Sequence, residues 1–286
     1  MKRFQQICLT VFLALPAAIY AQASSPAAIQ ASAGDVTDNR TTGTFNSECK
    51  VELKFTGDAV SDAQSVRRVQ LTEAVDTTGR NLILKDDDEN GTQFNNDRQS
   101  HVMLSAEVKL RNPSRNATAI KILKGQVELF NPTEANGGIV TIKNILQHPA
   151  EAVQNPELEK YHIQLMYLTK EAYEAKKKEV ESKQDSNQAL GEAFGQLFKG
   201  MFGGMLSDAK NSIQLYIEDP DKRVIHLKFS DGHGNPLKSN QSWSSGDFKS
   251  TGFESPAPPD TQLKIQLATP ASLTTYSFQL ENVALP

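Results

Sequence analysis

The residues best spaced for chemistry are Asp86, Asp88 and Asn90, oxygen-bearing side chains at alternate positions with Gly91 directly after them. Oxygens at every second position of a tight loop can converge on one hard cation, and the glycine allows the sharp turn this requires. The run is the first half of a calcium loop. Asp97 stands at the twelfth position, where a bidentate glutamate is usual, and Gln93 at the eighth, where an apolar residue normally anchors the loop. The flanks alternate like strands, which excludes a full EF-hand. Two readings stay open. One is a calcium-stabilised hairpin loop with Asp86, Asp88, Asn90 and Asp97 as ligands. The other is a solvated acidic loop between two strands, with no cofactor.

Trp243 is the second candidate, in the polar run Ser242-Trp243-Ser244-Ser245-Gly246-Asp247. An indole face suits the apolar side of a pyranose, so Trp243 could be a ligand-binding platform for sugar; a lone tryptophan is more often a core or edge residue of a β-sandwich. The histidines, His101, His148, His162, His226 and His233, have no ligand-like spacing. There is no Gly-x-Ser-x-Gly elbow, P-loop or dinucleotide glycine fingerprint. The residues therefore point away from an enzyme, although distant residues can still assemble a site on a rigid scaffold.

The elements that would position these residues follow a signal sequence. Lys2 and Arg3 precede an apolar run from Ile7 to Ala21, and Ala21-Gln22-Ala23 supplies small residues for cleavage. Charge, apolar core and A-x-A make residues 1–23 a secretory signal peptide, too short to be a membrane span of about 20 apolar residues. An exported product, periplasmic or extracellular and not an integral membrane protein, is expected. Lys2 and Arg3 leave with the signal, which takes the formal charge from −4 to −6. A mildly acidic protein has no electrostatic reason to seek nucleic acid. Cys8 also leaves, and no lipoprotein motif precedes it. Cys49 is then alone, so no internal disulfide staples the fold and apolar burial must hold it.

Residues 24–46 are rich in small and polar types and read as a flexible leader. From Val51 to Thr169 apolar residues alternate with polar ones, the period of half-buried strands. Val51, Leu53 and Phe55 alternate, as do Val102, Leu104, Ala106, Val108 and Leu110; Ile120, Ile122, Val127, Leu129 and Phe130 suggest two short strands around Lys124-Gly125. Alternation returns at Ile213, Leu215 and Ile217, at Ile225, Leu227 and Phe229, at Leu263, Ile265 and Leu267, and at Tyr276, Phe278 and Leu280. Between these regions, residues 170–210 read as helix: a charged stretch from Lys170 to Lys183, then Leu190, Phe194, Leu197, Phe198, Met201, Phe202, Met205 and Leu206 on one face. That face could dock on a sheet or between two modules, pair with a second copy to make a homo-oligomer, or lie on a membrane surface.

The expected fold is mainly β: two antiparallel β-sandwich, immunoglobulin-like modules at 47–169 and 211–286, joined by the amphipathic helical segment; the alternative is one larger sandwich with the helix inserted, because the second module is short for an independent domain. One internal echo bears on this. Asp76-Thr77-Thr78-Gly79-Arg80-Asn81-Leu82 and Asp231-Gly232-His233-Gly234-Asn235-Pro236-Leu237 are both Asp-x-x-Gly-x-x-Leu after an alternating strand. Duplication and shared turn chemistry account for it equally well.

The segments Ala74-Val75-Asp76-Thr77-Thr78-Gly79, Val108-Lys109-Leu110-Arg111-Asn112-Pro113 and Phe278 to Pro286 resemble parts of uncharacterised exported bacterial proteins built from β-sandwich modules. The resemblance spans most of the mature chain and implies that fold. It implies no activity and assigns no functional residue. The function expected is a non-catalytic exported protein of the cell envelope that binds a partner protein or surface component through its loops and helix. The alternative is a calcium-dependent carbohydrate-binding or adhesive module using the acidic loop and Trp243.

Overall fold

The computed structural model describes residues 29–41, 47–84, 103–184 and 211–286. They form a mainly β protein of several antiparallel sheets. The strands are β1 (Gln30–Asn39), β2 (Glu48–Thr56), β3 (Ser65–Asp76), β4 (Leu104–Leu110), β5 (Ala119–Phe130), β6 (Ile139–Ile142), β7 (Gln164–Leu168), β8 (Ser212–Glu218), β9 (Val224–Ser230), β10 (Ser239–Ser245), β11 (Phe248–Phe253), β12 (Gln262–Leu267) and β13 (Leu273–Ala284). Among the described residues three α-helices accompany them, α1 (Asp58–Asp62), α2 (Pro156–Lys160) and α3 (Lys170–Gln184), with a short 3-10 helix at Ile145–Gln147.

The strands lie in four sheets, ordered β1-β2-β4, β13-β5-β3, β6-β12-β9 and β10-β11-β8-β7. The first two share one apolar core. Cys49, Val51, Leu53 and Phe55 of β2 and Leu104, Ala106, Val108 and Leu110 of β4 enter it from one side. Val69, Ile120, Leu123, Val127 and Phe278 enter it from the other. The other two sheets share a second core, in which Ile213, Leu215 and Ile217 of β8 join Phe229, Leu263, Ile265 and Leu267.

Strand alternation thus finds the correct faces, but the chain is partitioned otherwise than the 47–169 and 211–286 split expects. β6 and β7 pair with β12 and β8 in the second core. β13 leaves the second core and pairs with β5 from Leu273↔Phe130 to Ala284↔Ala119. The second pair of sheets is therefore inserted between β5 and β13.

Three local expectations are also corrected. Part of the leader is the ordered strand β1, registered on β2 from Gln30↔Thr56 to Asn39↔Glu48; backbone pairing holds it although its inward side chains, such as Ala31 and Val36, are small. Lys124-Gly125 is no turn but the middle of one continuous 12-residue strand, β5. And α3 joins β7 to β8, neighbours in one sheet, so residues 170–184 do not link the two cores.

Candidate functional site

Three places concentrate polar or aromatic side chains. The first is a pair of turns. After β3, the Asp76 carboxylate Oδ1 accepts from the N–H groups of Thr78 at 2.8 Å and Arg80 at 3.0 Å and from the Thr78 hydroxyl at 2.6 Å. Its Oδ2 accepts from Ser114 N–H at 2.8 Å, which ties the turn to the loop after β4. Asp76 is fully buried. Burial pushes its carboxyl up, but the Thr78 hydroxyl and the backbone donors of Ser114, Arg80 and Thr78 together outweigh it, so the group is held below the usual carboxylate range. After β9, Asp231 Oδ1 accepts from His233 N–H at 2.9 Å and Asn235 N–H at 2.8 Å. Hydrogen bonds from the Asn235 side chain and backbone hold its carboxyl low as well. Both carboxylates cap the backbone N–H groups of their own turns, and Asp76 also holds Ser114, which makes them structural acceptors.

The second place is the junction where the chain crosses between the cores, at 131–138 and again at 268–272. Asn131 N–H donates to Ser272 C=O at 2.8 Å, and the Asn136 side chain donates to Asn131 C=O at 2.8 Å. Asn136 Oδ1 accepts from Thr133 N–H at 2.9 Å and Gly138 N–H at 3.0 Å. From the returning crossing, the Thr269 hydroxyl donates to Asn136 C=O at 3.0 Å, and Thr269 and Ser272 are both buried. Beside this knot, Gln64, just before β3, and Gln266 of β12 exchange two amide hydrogen bonds of 3.2 and 2.9 Å across the cores.

The third place is the outer face of the sheet β10-β11-β8-β7. Tyr216 and Phe248 stack edge to face at 5.3 Å, and Tyr173 of α3 meets Phe248 at 5.1 Å. The Lys176 ammonium lies 5.0 Å from the Tyr216 ring centroid. Burial, and then the charges of Glu218 and Asp247, push the Tyr216 hydroxyl up to about 12. Trp243 belongs here. The polar run that holds it begins as strand β10, where Trp243 lies opposite Ser250, half-buried against this aromatic cluster.

Asp86, Asp88, Asn90 and Asp97 lie outside the described residues, as do Phe194, Leu197, Phe198, Met201, Phe202 and Met205 of the apolar stripe and the signal at 1–23. Among the described residues, no group of three or more His, Cys, Asp or Glu is arranged to hold a metal ion. Among them, too, no helix is long and apolar enough to cross a membrane. Cys49 is fully buried, and burial pushes its thiol up to about 11.

Sequence reasoning missed the junction. Asn131-Pro132-Thr133 and Asn136-Gly137-Gly138 carry turn chemistry, but nothing local says that this turn meets Thr269 and Ser272. Compared with protein-family models and with curated proteins, the chain matches none.

Proposed function

We propose that this protein is a non-catalytic exported component of the cell envelope, two immunoglobulin-like β-sandwich modules acting together as a binding or structural unit. The observation that carries the reading is the double crossing. Domains joined by one linker move relative to each other by default. Here two chain crossings bond to each other, and the Gln64–Gln266 pair adds a bridge beside them. Such a joint holds two surfaces at a fixed attitude, as a scaffold or a bivalent binding protein requires. The buried Asp76 carboxylate serves its turn, and the buried Gln266, Thr269 and Ser272 serve the joint between the cores. The signal sequence at 1–23 supports export, and the partner would be an envelope protein or surface component met through the loops and the stripe at 190–206.

The test begins with the native product. Its amino terminus should start at Ser24 and it should fractionate outside the cytoplasm. A photo-crosslinker at the exposed Ser242 or Lys238 should then trap an envelope component in intact cells. Recovery from the cytosol with Met1 attached removes the export reading, and turnover in a hydrolase substrate screen removes the non-catalytic one.

A further inference from the structure

The two halves of the protein are wired alike. In both turns the aspartate N–H donates to the carbonyl four residues on, Asp76 to Arg80 at 3.0 Å and Asp231 to Asn235 at 2.9 Å. Gly79 and Gly234 N–H return to the aspartate carbonyls at 3.0 Å each, with φ of 88° and 86°. Leu82 N–H meets Ala74 C=O at 2.8 Å, and Leu237 N–H meets Phe229 C=O at 2.9 Å. Each carboxylate Oδ1 takes the N–H groups two and four residues ahead. Shared turn chemistry alone would explain one such turn anywhere, but these two sit in the same place in the same strand order.

That order is the second observation. β3, which carries the first turn, pairs with β5; β9, which carries the second, pairs with β12. In the facing sheets β1-β2-β4 corresponds to β7-β8-β11, with β10 added at the edge. Both halves therefore run through equivalent strands in the same chain order. One strand in each half breaks the sequence. On the side of β5 away from the turn strand lies β13, and on the same side of β12 lies β6. Yet β6 follows β5 along the chain, and β13 follows β12.

We infer that the chain is two copies of one module that have traded their last strands, so that β13 is a donor strand completing the first module from beyond the second. The donor is well seated: Phe278 and Val283 are buried in the first core, and Phe278 meets Phe55 edge to face at 5.7 Å. Removing it would uncover β5 along a registered strand and open that core. The first module is thus finished only when β13, which follows the whole second pair of sheets, is available.

The test cuts the full mature chain. Pro270 and Ala271 are exposed at the turn before β13, so a protease site placed between them frees the C-terminal fragment without removing a residue. The fragment is expected to co-elute with the rest of the protein in buffer and to leave in denaturant. A synthetic 271–286 peptide added on refolding should restore the thermal transition, and the same peptide with Phe278→Ala should do so about a hundredfold less effectively. Should the inserted site prevent folding, native-state hydrogen exchange on the unaltered chain decides. β13 amides should open together with β3 and β5, and β6 amides with β9 and β12. Spontaneous loss of the fragment with an unchanged transition, equal rescue by a scrambled peptide, or β13 opening with β12 while β5 stays closed would each overturn the exchange.

Discussion

Asp76 and Asp231 show how one residue type in one turn takes different weights. Asp76 is sealed from water and accepts four hydrogen bonds, one of them from the distant Ser114. Asp231 makes the corresponding local bonds in solvent. Hydrogen bonds to a buried charged group are worth more than neutral or solvated ones, and their donors are orphaned when it is removed. Asp76→Ala should therefore cost about 3 kcal/mol in a urea melt, and Asp231→Ala should shift the midpoint far less. The pH dependence has a definite sign. Because the folded carboxyl titrates below its unfolded counterpart, its stabilisation is complete above about pH 4 and is lost as pH falls below that. The wild-type midpoint should drop between about pH 4 and pH 2, while Asp76→Asn should be lower at neutral pH and flatter across that window. A variant with the same acid slope as wild type would assign the loss to other carboxylates. At the same scale, Cys49 should resist thiol reagents in the native protein and label fully in denaturant, since its sulfur is both buried and protonated at neutral pH.

Strand faces were legible and strand ends less so. The alternation over Val51, Leu53 and Phe55 and over Leu104 to Leu110 places the same residues in the core that the structure buries. β1 escaped notice because its sequence, Gln-Ala-Ser-Ala-Gly-Asp-Val-Thr-Asp-Asn, carries little apolar bulk, and backbone pairing with β2 supplies what burial does not. Gly125 misled in the opposite way. A glycine between two apolar runs looks like a turn, but here it lies where β3 bulges between Leu71 and Glu73 and its backbone crowds in. A Cβ at 125 would strike the Gln70 carbonyl oxygen and come within 3.1 Å of Leu71 Cα. Those are backbone atoms that cannot rotate away. Gly125→Ala should cost about 1–3 kcal/mol by overpacking, visible as a lower urea midpoint with an unchanged slope. A neutral or stabilised variant would show that the bulge relaxes freely.

Of the candidate site, Trp243 is the one sequence-level residue that the described structure places, and it lies on a strand beside an aromatic cluster. A period of two reveals which face a residue occupies but not which strand lies beside it, so the partition of the whole molecule was not legible. Nothing in Tyr276, Phe278 and Leu280 tells that their partners are Val127, Gly125 and Leu123, far earlier in the chain, and not the adjacent β12. The same blindness hid the junction, whose residues matter only because two distant crossings meet. Asn136 is the sharpest probe of that joint. Its side chain satisfies Asn131, Thr133 and Gly138, and its carbonyl receives Thr269 from the other crossing. Asn136→Ala deletes the side-chain bonds and leaves two amide N–H groups to find water, a loss of about 1–3 kcal/mol. If the crossings couple the cores, calorimetry should show one transition in the wild type. In the variant it should broaden or split in two, with new protease cleavage inside 131–138. A single unchanged transition and the wild-type digestion pattern would mean that the cores are coupled elsewhere, and the paired Gln64 and Gln266 amides would be the next bond to break.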